Sequence, residues 1–572
     1  MEYIYTIGIH DGHNCGVSLS LNGKIISSYL EERFSRSKNA VGFPIKSLLE
    51  LFKVSKISDK DVHSYYFSSK FMHQTEYLTN LSDWYKKSYE DQKIDEAKPK
   101  HYEKKIFNIR KEERINKLIS ITNTTRSKIN FLDHHSCHLY AAYYCSPYTN
   151  FENKILGITA DGSGDNISST VNLIEKGKFK RLSQTSRHAS LGKIYSRITM
   201  LLGMKPWEHE YKVMGLAPYS PIKMIDSQLL KLKKLLKVDE NKLIFKQSTK
   251  LSMNYIMDYL IENFKYQRFD IIAGTIQKFT EQMILNLVIS ALDKTKTDTL
   301  VCGGGLFMNI KANKLISELP KLKSVFFMPS AGDESLSIGA ALYGYYNNFN
   351  VQIKSSINHL YFGKSYFDQE NKKLIIKQSE KYKTKVKIFN NDRSYKKVAK
   401  LLADNKIIAR CCNNSEWGAR SLGNRSILCR PDKLENINLL NRAIKQRDFW
   451  MPFSPAILEN HYKKYIINNK DISPYFMSVA FDTIEKNRSK IIASIHPVDF
   501  TARPQVVNKK NNYEFYLLLN QFYKLTKIPC LLNTSFNLHG EPIVEKPIDA
   551  LRVFYLSKID VLVLNKYIIT KI

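Results

Sequence analysis

Two stretches of the chain repeat one pattern of strands and turns, and this repeat limits the fold more than any other feature. Near the amino terminus, alternating apolar residues predict strands at 3–9 and 17–21, and Asn22-Gly23 predicts a tight turn before a third strand. From residue 154 the order recurs as KILGITA, the acidic turn DGSGD, ISSTVNLIE, a Lys-Gly turn and KFKRLSQ. The repeat predicts a duplicated α/β domain.

The downstream sequence extends this plan. Helical spacing begins at Phe269, and two apolar strands follow, TLVCG and SVFF, the second leading through the polar loop SAGDES into a helix. The actin-like ATPase architecture has two such halves with a nucleotide between them. We expect this architecture here by analogy of fold. The stretch 347–359 predicts a boundary, so we expect domains at 1–355 and 356–572, the second also α/β.

Charge and composition leave two interpretations open. The formal net charge is +33, and the basic residues comprise 19 arginines and 68 lysines. Such a charge is typical of a protein with a polyanionic partner such as RNA, or of a lysine-rich solvated surface, which we favour. We expect a cytoplasmic protein with reduced cysteines and no membrane span, because no signal peptide, no C-x-x-C pair and no apolar run of about 20 residues is found.

Two histidines and two aspartates form a candidate metal site. His134 and His138 are spaced i and i+4, so on a helix they face the same side. Asp161 and Asp333 lie in polar loops at strand ends. Two imidazoles and two carboxylates suit Fe(II), Zn or Mn. The alternative is that the aspartates serve turns and helix caps, and that the histidines are structural.

A glycine-rich loop, CGGGLFMNIKAN, follows a predicted buried strand. Glycines allow a backbone to approach a phosphate closely, and the following helix offers unpaired amide donors. A tight turn between a strand and a helix would also require these glycines. Both interpretations, a phosphate-binding loop and a structural turn, therefore stay open.

Arginines concentrate in the second half of the chain. Six of the 19 fall within 50 residues, and they are Arg410, Arg420, Arg425, Arg430, Arg442 and Arg447. Because arginine binds phosphates and carboxylates with two hydrogen bonds, the cluster predicts an anion site, with salt-bridged surface arginines as the alternative. Further site residues are offered by TARPQVV and NTSFNLHGEP, and they are Arg503, Asn533 and Ser535.

Ten segments in order over about 530 residues give the chain a resemblance to the NodU/CmcH family of O-carbamoyltransferases. They are HNCGVSLSLNG with EERFSRSK, DHHSCHLYAAYY, ITADGSGD, YKVMGLAPY, CGGGLFMNIKAN, PSAGDES, GARSLGNRSIL, INLLNRAIKQRDFWMPFSPAIL, TARPQVV and NTSFNLHGEPIV.

The resemblance implies an actin-like first domain, similar to the enzymes that transfer threonylcarbamoyl to tRNA, and a second domain similar to threonylcarbamoyl-AMP synthases. It implies that carbamoyl phosphate and ATP, with Mg²⁺, form carbamoyl-AMP in the second domain. The carbamoyl group would then pass to a hydroxyl of a small acceptor at the metal site of the first domain.

Matching positions carry the implied roles. The resemblance makes His13 the base that accepts the hydroxyl proton. It makes the ligands of an Fe²⁺ or another divalent transition metal His134, His138, Asp161 and Asp333. It places the nucleotide at Gly162, Gly304, Gly305 and Asn309. It places carbamoyl phosphate and the adenylate at Arg420, Arg425, Lys445, Arg447, Arg503, Asn533 and Ser535.

Two other functions are also compatible with the sequence. A tRNA threonylcarbamoyl-type modification enzyme would use the basic charge and would bind tRNA in a salt-sensitive way. A non-catalytic module would bind ATP without consuming it. We favour the small-acceptor enzyme and expect neither a nucleic acid nor a membrane as partner. The sequence leaves three properties open. The acceptor could be a sugar, an antibiotic or another secondary metabolite. The metal and the oligomeric state, for which a homodimer is one option, are also open.

Overall fold

The computed structural model describes residues 3–72, 89–97, 100–149, 153–349, 356–366, 369–382, 384–388, 391–445 and 447–571. The chain divides into two compact units. The amino-terminal unit comprises Met1–Glu31 and Asn39–Ile357, and the carboxyl-terminal unit comprises Glu32–Lys38 and Asn358–Ile572. The predicted boundary near residue 355 lies outside the described residues. The short segment Glu32–Lys38 folds with the carboxyl-terminal unit, which its position in the sequence did not indicate.

The first sheet of the amino-terminal unit has the order β3-β2-β1-β4-β5. β1 pairs antiparallel with β2, β2 pairs antiparallel with β3, and β1, β4 and β5 run parallel. Its strands are β1 (Tyr5–His10), β2 (Gly16–Leu21), β3 (Lys24–Leu30), β4 (Val62–Phe67) and β5 (Ile129–Phe131).

The second sheet repeats this topology. The strands in the remainder of the unit are β6 (Ile155–Gly164), β7 (Ile167–Glu175), β8 (Lys178–Ser186), β9 (Leu236–Asp239), β10 (Ile244–Gln247), β11 (Thr299–Gly303) and β12 (Ser324–Phe327). The sheet order is β12-β11-β6-β7-β8, with an antiparallel meander β6-β7-β8 and parallel β6, β11 and β12. β9 and β10 form a separate hairpin. Two sheets of one topology confirm the predicted duplicated, actin-like α/β domain.

Helices connect and cover these sheets. They are Ile45–Ser55, Tyr89–Ala97, Lys100–Thr122, His134–Tyr144, Leu191–Leu201, Glu210–Leu216, Ile222–Lys233, Met257–Phe264, Phe269–Thr295, Ile310–Glu318 and Leu336–Phe349. The helix predicted from Phe269 and the helix predicted after SAGDES are both confirmed. In the described part of the chain, we find no helix with the length and apolar character that a membrane span requires.

Glycines bring the central helix of this unit into backbone contact with its neighbours. A Cβ atom on Gly339 would lie 2.0 Å from the carbonyl oxygen of Cys137 in the helix His134–Tyr144. A Cβ atom on Gly8 of β1 would lie 1.9 Å from the carbonyl oxygen of Ser337. The helix Leu336–Phe349 therefore packs between β1 and the helix His134–Tyr144 at distances that no larger residue allows at these two positions.

The carboxyl-terminal unit is built on one mixed sheet of order β13-β20-β19-β14-β15-β18-β16-β17. Its strands are β13 (Thr384–Ile388), β14 (Ile408–Cys411), β15 (Arg425–Cys429), β16 (Ser454–Leu458), β17 (Gln505–Val507), β18 (Cys530–Ser535), β19 (Val561–Leu564) and β20 (Tyr567–Lys571). Its α-helices are Glu32–Ser35, Gln369–Lys381, Asn391–Ala403, Glu435–Leu440, Glu459–Tyr462, Tyr513–Thr526 and Pro547–Tyr555. The predicted α/β class of this unit is confirmed.

A buried ion pair holds the long helix Lys100–Thr122 against the end of β1. Arg114 donates from Nε and Nη2 to the two carboxylate oxygens of Asp11, at 2.6 and 2.8 Å, and from Nη1 to the carbonyl of Ser69. The guanidinium carbon lies 4.6 Å from the ring centroid of Phe67. Both charged side chains are almost fully buried, so each depends on the other for its hydrogen bonds.

Replacing one partner of this pair should leave the other charge buried without its counter-ion. We expect Arg114→Met to lower the free energy of unfolding by about 3–5 kcal/mol. Urea denaturation followed by circular dichroism measures this effect. The matched control is Arg126→Met, which breaks the exposed pair of Arg126 with Glu112 and should leave the midpoint unchanged. Equal midpoints for the two variants would show that the buried pair does not hold the helix.

Candidate functional site

The helix His134–Tyr144 carries the two histidines predicted as metal ligands. It begins after Asp133, whose carboxylate accepts a hydrogen bond from the backbone N–H of Ser136 at 2.8 Å and so caps the helix. The spacing of one helical turn puts His134 and His138 on the same face, with ring centroids 4.8 Å apart. The helix itself and the shared face are as the sequence predicted.

Two aspartates from separate segments meet these histidines, and one of them, Asp161, lies in a strand and not in the loop that the sequence predicted. The Nε2 atoms of His134 and His138 each lie 3.3 Å from Oδ2 of Asp161 and 3.6 Å from Oδ1 of Asp333. Asp161 lies within β6, next to the turn toward β7, and Asp333 begins the turn before the helix Leu336–Phe349. One ligand atom from each residue lies within 4.8 Å of the other three. The structure thus brings together four side chains that are up to 199 residues apart, from His134 to Asp333.

These four side chains fit a divalent transition metal. Ligand atoms held tetrahedrally at about 2.1 Å from an ion lie about 3.4 Å from one another, and the observed separations of 3.3 and 3.6 Å bracket that value. Two imidazole nitrogens with two carboxylates suit Fe(II), Mn(II) or Zn(II) better than Mg²⁺, which prefers oxygen ligands. The carboxylates are partly accessible, at 17 and 21 % exposure, so an ion could reach them.

Opposite charges shift the pKa values in this cluster in opposite directions. Burial lowers the pKa of His134, but the hydrogen bond to Asp161 and the charges of Asp333 and Asp161 outweigh burial and raise that pKa to about 9. Burial and the charge of Asp333 raise the pKa of Asp161, but hydrogen bonds from both histidines lower it to about 2. Asp161 is therefore ionised at neutral pH, and a bound cation would replace the proton of His134.

A second layer of contacts holds these four side chains in place. Nδ1 of His138 lies 3.3 Å from Oγ of Ser335, which fixes the ring that presents Nε2 to the aspartates. A Cβ atom on Gly164 would lie 2.1 Å from the ring of His134, and one on Gly305 would lie 2.7 Å from Oδ1 of Asp161. A side chain at either position would therefore displace His134 or Asp161 from its place in the cluster.

His10, which sequence reasoning did not select, also joins the cluster. Its Nε2 lies 3.6 Å from Oδ2 of Asp333 and 2.9 Å from the carbonyl oxygen of His13, and its Nδ1 lies 3.0 Å from Oγ of Ser68. His10 thus links the second carboxylate oxygen of Asp333 to the backbone of the loop that carries His13. The signal that could have found it is its place at the carboxyl end of β1.

His13, which the resemblance made a base, lies on the same side of the unit. Its side chain is half-buried, and burial lowers its pKa despite the nearby charge of Asp333. The imidazole is therefore neutral at pH 7 and able to accept a proton. Its ring centroid lies 5.3 Å from that of Trp207, a residue that sequence reasoning did not select.

The predicted nucleotide-binding residues occupy the end of β6, next to Asp161, and the glycine loop that follows β11. Gly304 has a φ of +100°, and a Cβ atom there would lie 2.3 Å from the carbonyl oxygen of Ala160. Asn309 caps the helix Ile310–Glu318 through Ala312 and exchanges two hydrogen bonds with Gln277. The side chain of Asn309 is thus engaged in holding the loop. Gly162 follows Asp161, and its N–H donates to Oδ1 of that residue at 2.7 Å.

In the carboxyl-terminal unit, three of the predicted arginines form a positive cluster. Burial lowers the pKa of Arg503 well below its usual range, and the nearby charges of Arg420 and Arg447 lower it further. Arg503 donates from Nε and Nη2 to Oγ of Ser454, at 3.1 and 2.9 Å. Three guanidinium groups in one place repel one another, so this cluster would be stabilised by an anion.

Arg425 has a different environment from the one predicted. It is fully buried, and all three of its guanidinium nitrogens donate to backbone carbonyls, among them Glu545 at 3.0 Å, Cys412 at 2.7 Å and Asn424 at 3.1 Å. These carbonyls occupy the donors that a substrate phosphate would need. In this structure Arg425 therefore supports the loop that precedes it, and a direct contact with the substrate would require those bonds to break.

The remaining predicted residues of this unit lie at the end of β18 and in a helical turn. Asn533 is buried and donates from Nδ2 to the carbonyl of Ser421 and to Oε1 of Gln505, at 3.1 and 3.0 Å. Ser535 donates to Oδ1 of Asn537 at 2.6 Å. The side chain of Lys445 lies outside the described residues.

Comparisons with known proteins agree with these two units. The family model described as carbamoyltransferase N-terminus matches residues 5–342, and the one described as carbamoyltransferase C-terminus matches residues 399–571. The chain therefore belongs to the carbamoyltransferase family, whose members are enzymes that transfer a carbamoyl group.

Similar proteins come from bacteria and archaea. An uncharacterized protein of Methanocaldococcus jannaschii is 32% identical over 99% of both chains, and the nodulation protein NolNO of Sinorhizobium fredii is 25% identical over 98% of this chain and 79% of its own. Component A of (R)-2-hydroxyglutaryl-CoA dehydratase from Acidaminococcus fermentans resembles 60% of this chain, covering 98% of its own, at 16% identity and a TM-score of 0.33, too low to support an argument.

Proposed function

We propose that this carbamoyltransferase uses ATP to activate its carbamoyl group and then transfers the group to a hydroxyl of a small acceptor. The observation that carries the proposal is the distribution of charge. The carboxyl-terminal unit gathers the three arginines Arg420, Arg447 and Arg503, and the amino-terminal unit gathers two histidines with two aspartates. One unit thus suits a small phosphate dianion, and the other suits a cation.

The first half-reaction is assigned to the carboxyl-terminal unit. Carbamoyl phosphate loses phosphate to water and gives carbamate, and a carbamate oxygen attacks the α-phosphorus of ATP as pyrophosphate leaves. Arg503 and its two arginine neighbours would neutralise the negative charge that these phosphates bring together. Ser454 would orient the guanidinium of Arg503, because its hydroxyl oxygen accepts from two of the nitrogens.

The second half-reaction is assigned to the amino-terminal unit. The acceptor oxygen attacks the carbamoyl carbon, the bond from that carbon to the phosphate oxygen breaks, and AMP leaves with the electron pair. His13 would accept the hydroxyl proton, since burial keeps its imidazole neutral at pH 7. His134, His138, Asp161 and Asp333 would hold a divalent ion, for which iron is our first expectation. When bound, such an ion supplies positive charge to the adenylate phosphate.

The products of ATP consumption test this proposal. With carbamoyl phosphate present, we expect ATP to be converted to pyrophosphate and carbamoyl-AMP, with one phosphate released per turnover, because the α-phosphorus is attacked. The carbamoyl-AMP then yields AMP when its carbamoyl group passes to an acceptor hydroxyl or to water. Ion-exchange chromatography of the nucleotides measures the outcome, and omission of carbamoyl phosphate is the control. ADP as the sole nucleotide product would reject the adenylate route.

The metal assignment has a test that does not depend on activity. We expect His134→Ala to retain less than about a tenth of the metal found in the wild-type protein, since removal of a ligand weakens the remaining set. Elemental analysis of the purified proteins measures the content. His63→Ala, which changes an exposed histidine of the same unit, should bind as much metal as the wild type. Equal metal content in the His134 variant and the wild type would refute the assignment.

A further inference from the structure

Lys193 lies beside the candidate metal cluster and has no role in the reaction described above. It belongs to the first turn of the helix Leu191–Leu201. The residue that caps this helix, Ser190, donates from Oγ to the carbonyl oxygens of Asp161 and Gly162, at 3.2 and 2.6 Å. The start of the helix is therefore fixed to the end of β6, which carries one of the candidate metal ligands.

The glycines around this contact determine how close Lys193 comes to β6. A Cβ atom on Gly192 would lie 2.9 Å from the carbonyl oxygen of Asp161, so the helix and the strand touch backbone to backbone. The Cε atom of Lys193 lies 4.0 Å from the position that a Cβ atom of Gly162 would take. The lysine side chain thus extends along the side of Gly162 that is left open by the absence of a side chain.

Trp207 determines where the ammonium group of Lys193 lies. Nζ of Lys193 is 5.2 Å from the ring centroid of Trp207, and the imidazole of His13 also lies next to that ring. Trp207 adopts a left-handed backbone conformation, with a φ of +65°. The backbone N–H of Trp207 donates at 2.7 Å to Oε1 of Glu210, and the same oxygen accepts from Oγ of Ser196 at 2.8 Å. Ser196 and Lys193 lie on the same helix, so one element positions both the lysine and the tryptophan.

We propose that Lys193 binds the α-phosphate of the carbamoyl adenylate in the transfer site and neutralises that phosphate as AMP leaves. This inference rests on the proposed function. Lys193 and His13, the proposed base, both lie next to Trp207 and therefore on the same side of the cluster. As the carbamoyl carbon–oxygen bond breaks, its electron pair stays on the phosphate oxygen, and the ammonium group stabilises that charge by a charge-assisted hydrogen bond.

Two probes separate phosphate binding from nucleoside binding. AMP and adenosine differ only in the phosphate, so each is titrated calorimetrically into the full chain carrying Arg503→Ala, which weakens the proposed phosphate site of the carboxyl-terminal unit. On this background we expect Lys193→Met to weaken AMP binding by about 10- to 100-fold, the range for one charge-assisted hydrogen bond. Adenosine binding should change by less than about twofold, and Lys193→Arg should restore part of the AMP affinity, because it restores the charge.

The matched control is Lys231→Met, because Lys231 is also a lysine whose Nζ lies over an aromatic ring, 5.3 Å from the centroid of Phe264. It should alter neither affinity. Unchanged AMP binding in Lys193→Met overturns the inference, and so does an equal loss of AMP and adenosine binding, which would indicate a structural role. Absence of carbamoyl-dependent pyrophosphate release by the wild-type chain would instead refute the proposed function, whatever the lysine variants show.

Discussion

The geometry of the amino-terminal site depends on the close approach of two helices at Gly339. The backbone of Gly339 touches the carbonyl of Cys137, and on its other side the same helix touches β1 at Gly8. Asp333 stands at the start of this helix, whereas the two histidines stand on the helix that Cys137 belongs to. A larger side chain at the contact would separate the helices, and Asp333 would move away from the imidazoles. Backbone packing of small residues thus fixes a distance between charged side chains.

Both candidate sites concentrate ionisable groups in buried or partly buried positions. Asp161 and Asp333 raise each other's cost of ionisation, and the histidines offset that cost. In the carboxyl-terminal unit, Arg420 and Arg447 lower the pKa of the buried Arg503. A protein that needed stability alone would gain by replacing such groups with apolar residues of similar size. The amino-terminal unit gathers carboxylates with imidazoles, and the carboxyl-terminal unit gathers guanidinium groups. This difference is the physical basis for assigning a cation to the first unit and phosphates to the second.

The sequence predicted the four candidate metal ligands but not the residues that surround them. The i, i+4 histidine pair and the strand-end aspartates were found because helical period and strand ends are local signals, and the repeated sheets were found for the same reason. His10, Lys193, Trp207 and Arg114 were missed because their roles arise from contacts between distant segments. Helix Lys100–Thr122, for example, looks like a charged surface helix, yet one of its arginines forms a buried ion pair.

The arginine cluster shows a different limit of sequence reasoning. The density of arginines indicated an anion site but gave no means of sorting them. Arg503 lies beside two other guanidinium groups, whereas Arg425 is surrounded by backbone carbonyls. The sorting depends on which groups surround each arginine in the folded unit, and those groups come from segments that are distant in the sequence. For the same reason, the sequence did not show that Glu32–Lys38 folds with the carboxyl-terminal unit.

If activation and transfer occur in separate sites, as we propose, a single substitution in the amino-terminal cluster should separate the two half-reactions. Asp333→Asn removes a charge from the amino-terminal cluster and leaves the arginine cluster unchanged. Mixed with ATP and carbamoyl phosphate in a single turnover, this variant should release pyrophosphate and accumulate carbamoyl-AMP, which quenched-flow chromatography detects, whereas Arg503→Ala should release none. If folded Asp333→Asn released no pyrophosphate, adenylate formation would require the amino-terminal cluster, and the division into two sites would be wrong.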